Sequence, residues 1–319
     1  MRASIIIRTL NEAKHLGDLL QAISQQQTDG MDWEVVIVDS GSTDGTLEIA
    51  RAYDCRIEPI TREEFSFGRS LNLGCEAATG DFLVLISGHC VPCDERWLQV
   101  LCQPLIDSHA EYSYGRQLGG TDSHYSECQI FAKYFPEKSR VPQSGFYCNN
   151  ANSALTRLAW EEFGFDEQLT GLEDMELAQR LTKRGGRLAY VAEAPVYHYH
   201  SEEWRIIERR FEREAIALQH IMPHVHIRKY DLLRYVVSSV WMDWRSAWKE
   251  QVFGRKAVEI LFYRGRQYWG SYKGNRDHRK LSHSDKEVYF FPSKTPSLSP
   301  PKTVLKPTID KPLRTEAKL

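Results

Sequence analysis

The feature that most limits how this chain can fold is an alternation along its first 115 residues. Short apolar runs, "SIIIRT", "WEVVIVDS", "CRIEPI" and "DFLVLISG", are separated by segments with helical spacing. The clearest of these, "NEAKHLGDLLQAISQQ", sets Leu16, Leu19, Leu20 and Ile23 on one face. "FGRSLNLGCEAA" and "DERWLQVLCQPLIDS" read as two more helices, and "TLEIARAY" as a helix capped by Ser42 and Thr43. Strands apolar at consecutive positions bury both faces. The pattern therefore predicts an α/β fold, a mostly parallel central sheet flanked by helices. Ligands of such sheets bind beyond the carboxyl ends of the strands, here residues 8–11, 39–44 and 87–90.

Beyond residue 115 the alternation weakens. "EDMELAQRLTKRGG" predicts a helix with Leu177, Ala178 and Leu181 on one face, ended by Gly185 and Gly186. "RLAYVAEAPVYHYH" is extended. From 206 to 288 the pattern turns helical and basic-aromatic, and 289–319 is rich in Pro, Ser and Lys. That last composition cannot bury a core and predicts a disordered tail.

Apolar residues at 42% and charged residues at 26% fit a soluble globular protein. A net charge of -2 excludes nucleic-acid binding through overall basicity. The longest apolar candidate, "YVVSSVWMDW", is interrupted by Asp243 and falls short of the ~20 residues a membrane-spanning helix needs. "MRASIIIRTLNEAKHL" has too short an apolar centre for a signal peptide. Seven cysteines without a spacing framework fit reduced thiols. The expectation is a cytoplasmic protein.

Three segments carry candidate chemistry. Asp39, ending an apolar strand, can accept hydrogen bonds from a base or ribose, or can simply close the turn that follows. Thr9, Asn11 and Glu12 stand at the neighbouring strand end. Glu173 and Asp174 open a helix, where the macrodipole favours ionised carboxylates and one can serve as a general base. Ordinary charge complementarity explains the same placement. His198 and His200 alternate on a predicted strand, so only one of them would face a given site. With His89, either makes a two-imidazole metal site suited to Mn or Zn. Cys90 and Cys93 form a C-x-x-C with no second pair to complete a zinc site.

In order, "IIIRTLNEA", "EVVIVDSGSTDGT", "LNLGCEAATGDFLVLISG", "NANSALTR", "FDEQLTGLEDMELAQRL" and "VYHYH" resemble the family-two inverting glycosyltransferases with the GT-A fold. The resemblance covers residues 1–205. Its wording is most similar to bacterial rhamnosyltransferases and polysaccharide glycosyltransferases. It implies a catalytic domain at 1–205, followed by a helical region at 206–288. It implies that Thr9, Asn11, Glu12, Asp39, Ser42, Asn72 and Ser87 line a nucleotide-sugar site. Asp174 matches the catalytic base, with Glu173 beside it. Ser87-Gly88-His89 stands where the family has Asp-x-Asp, which makes His89 a metal ligand together with His198 or, second, His200. A divalent cation, Mn or Mg, is implied, although imidazole suits Mg poorly. Fixed His or Arg cations could replace it, and the retained Glu173-Asp174 argues against a dead site.

The implied partners are a nucleotide-diphosphate sugar, dTDP-rhamnose or a UDP-sugar, and a saccharide or lipid-linked acceptor, with the oligomeric state left open. The basic-aromatic helices could lie on the inner membrane surface or pack against the sheet domain. Two rivals are weighed. A sugar-nucleotide pyrophosphorylase needs a glycine-rich loop that "IIIRTLNEAKH" lacks. A non-catalytic glycosyltransferase-like binding or assembly subunit would keep the fold without donor turnover.

Overall fold

The computed structural model describes residues 1–200 and 203–276. The tail expected at 289–319, and residues 277–288 of the expected helical region, lie outside the described residues. Four strands come first: β1 (Arg2–Thr9), β2 (Asp32–Asp39), β3 (Arg56–Pro59) and β4 (Phe82–Ser87). They alternate with α1 (Ala13–Ser24), α2 (Thr46–Ala52) and α3 (Phe67–Ala77). Next come β5 (Cys90–Pro92), α4 (Trp97–Ile106), β6 (Tyr112–Gly119), α5 (Tyr125–Tyr134) and β7 (Asn152–Thr156). The chain continues through α6 (Arg157–Phe163), α7 (Glu173–Lys183) and β8 (Leu188–His198) to α8 (Trp204–Ile221), α9 (Lys229–Lys249) and α10 (Phe253–Gly274).

The strands form one sheet in the order β3-β2-β1-β4-β7-β6-β8-β5. β3, β2, β1 and β4 are parallel, as is the β6–β8 pair, but β7 is antiparallel to both its neighbours and β5 to β8. The sheet is therefore mixed rather than mostly parallel. The segment "LVLISGHCVPCDERWL" shows one reason. Only Gly88 and His89 separate β4 from β5, too few for a crossover back into parallel register. The chain instead leaves β4 and pairs Cys90 with His198 at the far edge. The same link requires glycine: a Cβ on Gly88 would lie 2.9 Å from Glu12 Cγ.

Successive side chains of a strand point to opposite faces, and the apolar runs divide accordingly. Ile5, Ile7, Ile37, Val84 and Ile86 join α1 and α4 in one core, while Ile6, Val36, Leu83 and Leu85 join α3 and α7 in the other. Gly74 lets α3 lie close on β1, since a Cβ there would meet Ile6 Cγ2 at 2.5 Å. Ile6→Ala is expected to cost about 2–5 kcal/mol, the range for truncating a fully packed side chain. Urea unfolding reads this, and a loss below about 1 kcal/mol would mean that the second core is loosely packed.

The registers place Thr9 beside Asp39 and Arg8 beside Ser87, so the three polar strand ends lie along one edge. α8 to α10 pack beyond that sheet. α8 is tied back by Thr170 Oγ1 donating to the Arg213 carbonyl and by Gln179 Nε2 donating to that of Ile221.

Candidate active site

The loops after β1 and β2 are laced together. Asp39 accepts from the Gly41 and Ser42 N–H groups with Oδ2, and from Thr9 Oγ1 and Ser42 Oγ with Oδ1. Asn11, at φ 59°, accepts from the Thr43 N–H and donates its own N–H to Ser42 Oγ. Ser42 and Thr43 are thus spent across the loops and do not cap α2, whose N-cap is Gly45 in the left-handed region. Thr9, Asn11, Asp39 and Ser42 form one cluster at the sheet edge. Asn72 is buried elsewhere, in a clasp. Its Nδ2 donates to the Phe165 carbonyl and Glu167 Oε1, and its Oδ1 accepts from Trp160 Nε1 and the Phe165 N–H. With donors and acceptor all engaged, Asn72 secures α3 to the loop before α7 and offers nothing to a ligand.

His89, His198 and His200 form a single cluster, with one ligand atom of each within 4.8 Å of the others. The expectation that only one of His198 and His200 could face the site fails because residues two apart along an extended chain share a face, and β8 runs up to His198. Between them, Tyr199 N–H donates to the His89 carbonyl, which holds this segment against the β4–β5 link.

Each ring is held at Nδ1. His89 Nδ1 lies 2.9 Å from Glu12 Oε1, which makes Glu12 the buttress of His89 rather than part of the Asp39 cluster. His198 Nδ1 lies 2.8 Å from Gln117 Oε1. Gln117 Nε2 donates to Asn149 Oδ1, which fixes its amide and makes His198 Nδ1 the protonated nitrogen. His198 Nε2 is then a buried lone pair with no hydrogen-bond partner among the described residues. Burial, with His200, His89 and Arg210 nearby, holds His198 well below the usual imidazole range, so the ring is neutral.

His200 Nδ1 lies 2.8 Å from Glu127 Oε1. Arg210, 3.1 Å from the same nitrogen, donates to Glu127 at 2.6 Å and to Tyr263 at 3.2 Å. Burial opposes ionisation of Glu127, but Arg210 and His200 outweigh it and hold the carboxyl well below the usual range. Imidazoles oriented from behind by carboxylates and an amide fit a transition-metal ion. The orphaned Nε2 of His198 is the observation that speaks for it. The nearby Cys90 is buried, and its thiol is pushed up by that burial, so it stays protonated.

Asp174 and Glu173 open α7 behind Leu172, a non-glycine residue at φ 58°. Both carboxylates are buried. Asp174 Oδ2 accepts from the Asn150 N–H and Oδ1 from the Met175 N–H. Glu173 Oε1 lies 3.5 Å from Arg8 Nη1. Burial, then the neighbouring Glu173 carboxylate, pushes Asp174 up to about 7. Its folded value exceeds its unfolded one, so the native state holds the proton more tightly and ionisation destabilises it as pH rises towards 7. The Asp174→Asn variant should gain thermal stability relative to the parent between pH 5 and pH 8. A pH-independent difference would place the carboxylate outside a buried, raised environment.

Adjacent residues tie the two halves together. Asn149 holds Gln117 behind His198, while the Asn150 backbone holds Asp174. Arg8, next to Ser87 in the sheet, reaches Glu173. Ser87 ends β4 with its N–H donated to the Ala151 carbonyl. Sequence reasoning missed Arg8, Gln117, Glu127 and the Asn149-Asn150 pair as site residues. Only the polar "CNNANS" turn carried a local signal for any of them.

Residues 4–149 match the family model for glycosyl transferase family 2. The O-antigen chain rhamnosyltransferase WbaN of Salmonella anatum is 30% identical over 53% of this chain and 57% of its own length. RfbN of Salmonella typhimurium, an O-antigen chain rhamnosyltransferase, is 27% identical over 63% of this chain and 67% of its own. The chain thus spans little more than half of the first relative. Among solved structures, the mannosyltransferase PcManGT of Pyrobaculum calidifontis, in complex with GDP-Man and Mn2+, superposes with a TM-score of 0.59 at 17% identity. The superposition covers 87% of this chain and 88% of that one. The S. aureus TarS structure gives a TM-score of 0.52 at 15% identity, over 84% of this chain and 55% of that one. These likenesses show a GT-A glycosyltransferase fold. Through residues 4–149, the chain is similar to glycosyl transferase family 2.

Proposed function

We propose that the chain is an inverting glycosyltransferase of cell-surface polysaccharide synthesis. It would move a sugar from a nucleotide-diphosphate donor to a saccharide or lipid-linked acceptor, with Asp174 as general base. The observation that carries this reading is the buried Asp174 carboxyl, raised to about 7 and held at α7 by the Asn150 N–H. A base of that strength is near its best for proton abstraction at neutral pH.

The acceptor hydroxyl oxygen attacks the anomeric carbon, the sugar–phosphate bond breaks, and the nucleoside diphosphate departs with that electron pair. Asp174 takes the hydroxyl proton as the new bond forms. Glu173, 3.5 Å from Arg8, lies beside it and raises the basicity of Asp174. The Asp39 cluster offers carboxylate oxygens to the base or ribose, which would displace one of its internal donors. Asn72 is not part of this reading.

His89, His198 and His200 would hold a divalent cation. When bound, it supplies positive charge against the departing diphosphate. Three imidazoles favour Mn over Mg, and the Mn2+ in the PcManGT complex is in keeping with this. Rhamnose is the donor sugar suggested by the two Salmonella relatives, and dTDP is the nucleotide we assign to it. A lipid-linked acceptor would bring the protein to the inner membrane surface.

The test is NMR of the product formed from dTDP-rhamnose, and from UDP- and GDP-sugars, with an oligosaccharide acceptor. Transfer with inverted anomeric configuration supports the reading. Retained configuration would remove Asp174 from the role of base, and a chain that turns over no donor would be the non-catalytic subunit.

A further inference from the structure

The helices after β8 leave one face unexplained by packing. α9 and α10 form an antiparallel hairpin, seen in the pairings Asp243–Arg264, Trp244–Ala257 and Ser239–Tyr268. The inner side of α9 buries Val240 and Ala247, with Val236 and Trp244 packed beside them. Its central acid, Asp243, is buried on that side and accepts from Nε and Nη2 of Arg264. The outer side repeats at helical spacing through Tyr230, Leu233, Val237, Trp241 and Trp248, with Met242 alongside. Tyr230 is 74% exposed, Trp241 58% and Trp248 72%.

The charges on that outer side are mostly of one sign, the half-buried Asp231 being paired with Arg234 at 3.7 Å. Lys229, Arg234, Arg245 and Lys249 are exposed, and no exposed position of α9 carries a carboxylate. Arg245 lies over the Trp241 ring at 5.7 Å. No helix of the described residues is long and apolar enough to cross a membrane.

We infer that the outer face of α9 docks on an anionic lipid surface, lying in the interface with its aromatics among the headgroups. The argument is charge complementarity. Aromatic and aliphatic side chains interleaved with Lys and Arg are what a helix needs to lie in an anionic interface. A second copy of this chain is the poorer occupant. A two-fold contact through this face would set Lys229, Arg245 and Lys249 against their own copies, with only the half-buried Asp231 and the terminal Glu250 as acids nearby. The face also connects to the site: α10, which packs on α9, supplies Tyr263 to Arg210 and so to Glu127 and His200. The use of the surface, presenting a lipid-linked acceptor, rests on the proposed function. The surface itself does not.

The experiment is flotation of the full chain with phosphatidylcholine vesicles, with and without about one-third phosphatidylglycerol. Binding should be at least about tenfold stronger to the anionic vesicles and should weaken with salt. Arg245→Glu with Lys249→Glu should weaken it by more than about tenfold, and Trp241→Ser with Trp248→Ser should abolish it. These positions are exposed, so the thermal midpoint should not move. No vesicle binding, or binding that ignores both lipid charge and the Glu variants, overturns the proposal. So does a dimer in sedimentation that the Trp241→Ser, Trp248→Ser variant dissolves. Nucleotide-induced thermal stabilisation, read on the same proteins, separates the two failures. Vesicle binding without any nucleotide response would sink the transferase reading and leave the docking surface standing.

Discussion

Replacing Asp174 by Asn is expected to lower glycosyl transfer by about 10²–10⁴-fold, the usual contribution of a positioned general base. Nucleotide affinity should hardly change. The substitution keeps size and one acceptor oxygen, so the Asn150 N–H that holds Oδ2 retains a partner. It removes the capacity to take a proton. Burial and Glu173 set the carboxyl near 7, so transfer by the parent should rise with pH through neutrality and level off above it. The Asp174→Asn variant should lack that limb. Its predicted relative gain in stability towards pH 8 means that lost turnover cannot be put down to unfolding. A variant that retains turnover, or that loses nucleotide binding, would disprove the assignment.

The second large effect is expected at His198. His198→Ala should lower Mn affinity by more than about 100-fold, since it removes one of three imidazoles and leaves an open, wet position. Gln117→Ala should cost about 10–100-fold by freeing the ring that Gln117 now orients. Isothermal titration with Mn alone reads both, without any donor or acceptor. Equal affinities in parent and both variants would mean that the cluster is a packed set of rings. In that case the rings stack on each other and on Phe131, and fixed cations such as Arg8 would face the diphosphate.

Much of the fold could be read from residues 1–115 because a strand covered on both faces must be apolar at consecutive positions. Ile5 to Ile7 and Leu83 to Ile86 obey this and divide into the two cores. β5 could not be read, since three residues carry no period and its partner lies about a hundred residues away. The candidate site was legible where a residue type and the end of a strand or start of a helix coincide, as at Asp39, His89 and Glu173-Asp174. It was misread where local pattern and long-range contact part company. His200 was ranked behind His198 on a miscounted alternation, since residues two apart on a strand share a face. Asn72 was placed in the nucleotide-sugar site through the resemblance but closes on Phe165 and Trp160. Gln117 and Glu127 sit inside an ordinary strand and helix, and only the histidines that they hold reveal them.

The basic-aromatic helices were weighed as packed or membrane-facing, and the packed description holds for one side. Their inner residues fill the seam between α9 and α10, while the outer face of α9 stays bare. Sequence showed the composition. Only the burial of Asp243 against Arg264 shows that the acid lies on the inner side and the cations on the outer.

The measurement that tests the account most directly is thermal stabilisation of the chain by UDP, GDP, dTDP and CMP, each with Mn, with Mg and with EDTA. A single nucleotide, dTDP on the reading above, should stabilise strongly with Mn, weakly with Mg and least in EDTA. The Mn increment should vanish in His198→Ala. The same stabilisation in EDTA as in Mn would contradict a metal held by His89, His198 and His200, and silence across the whole panel would contradict the transferase itself.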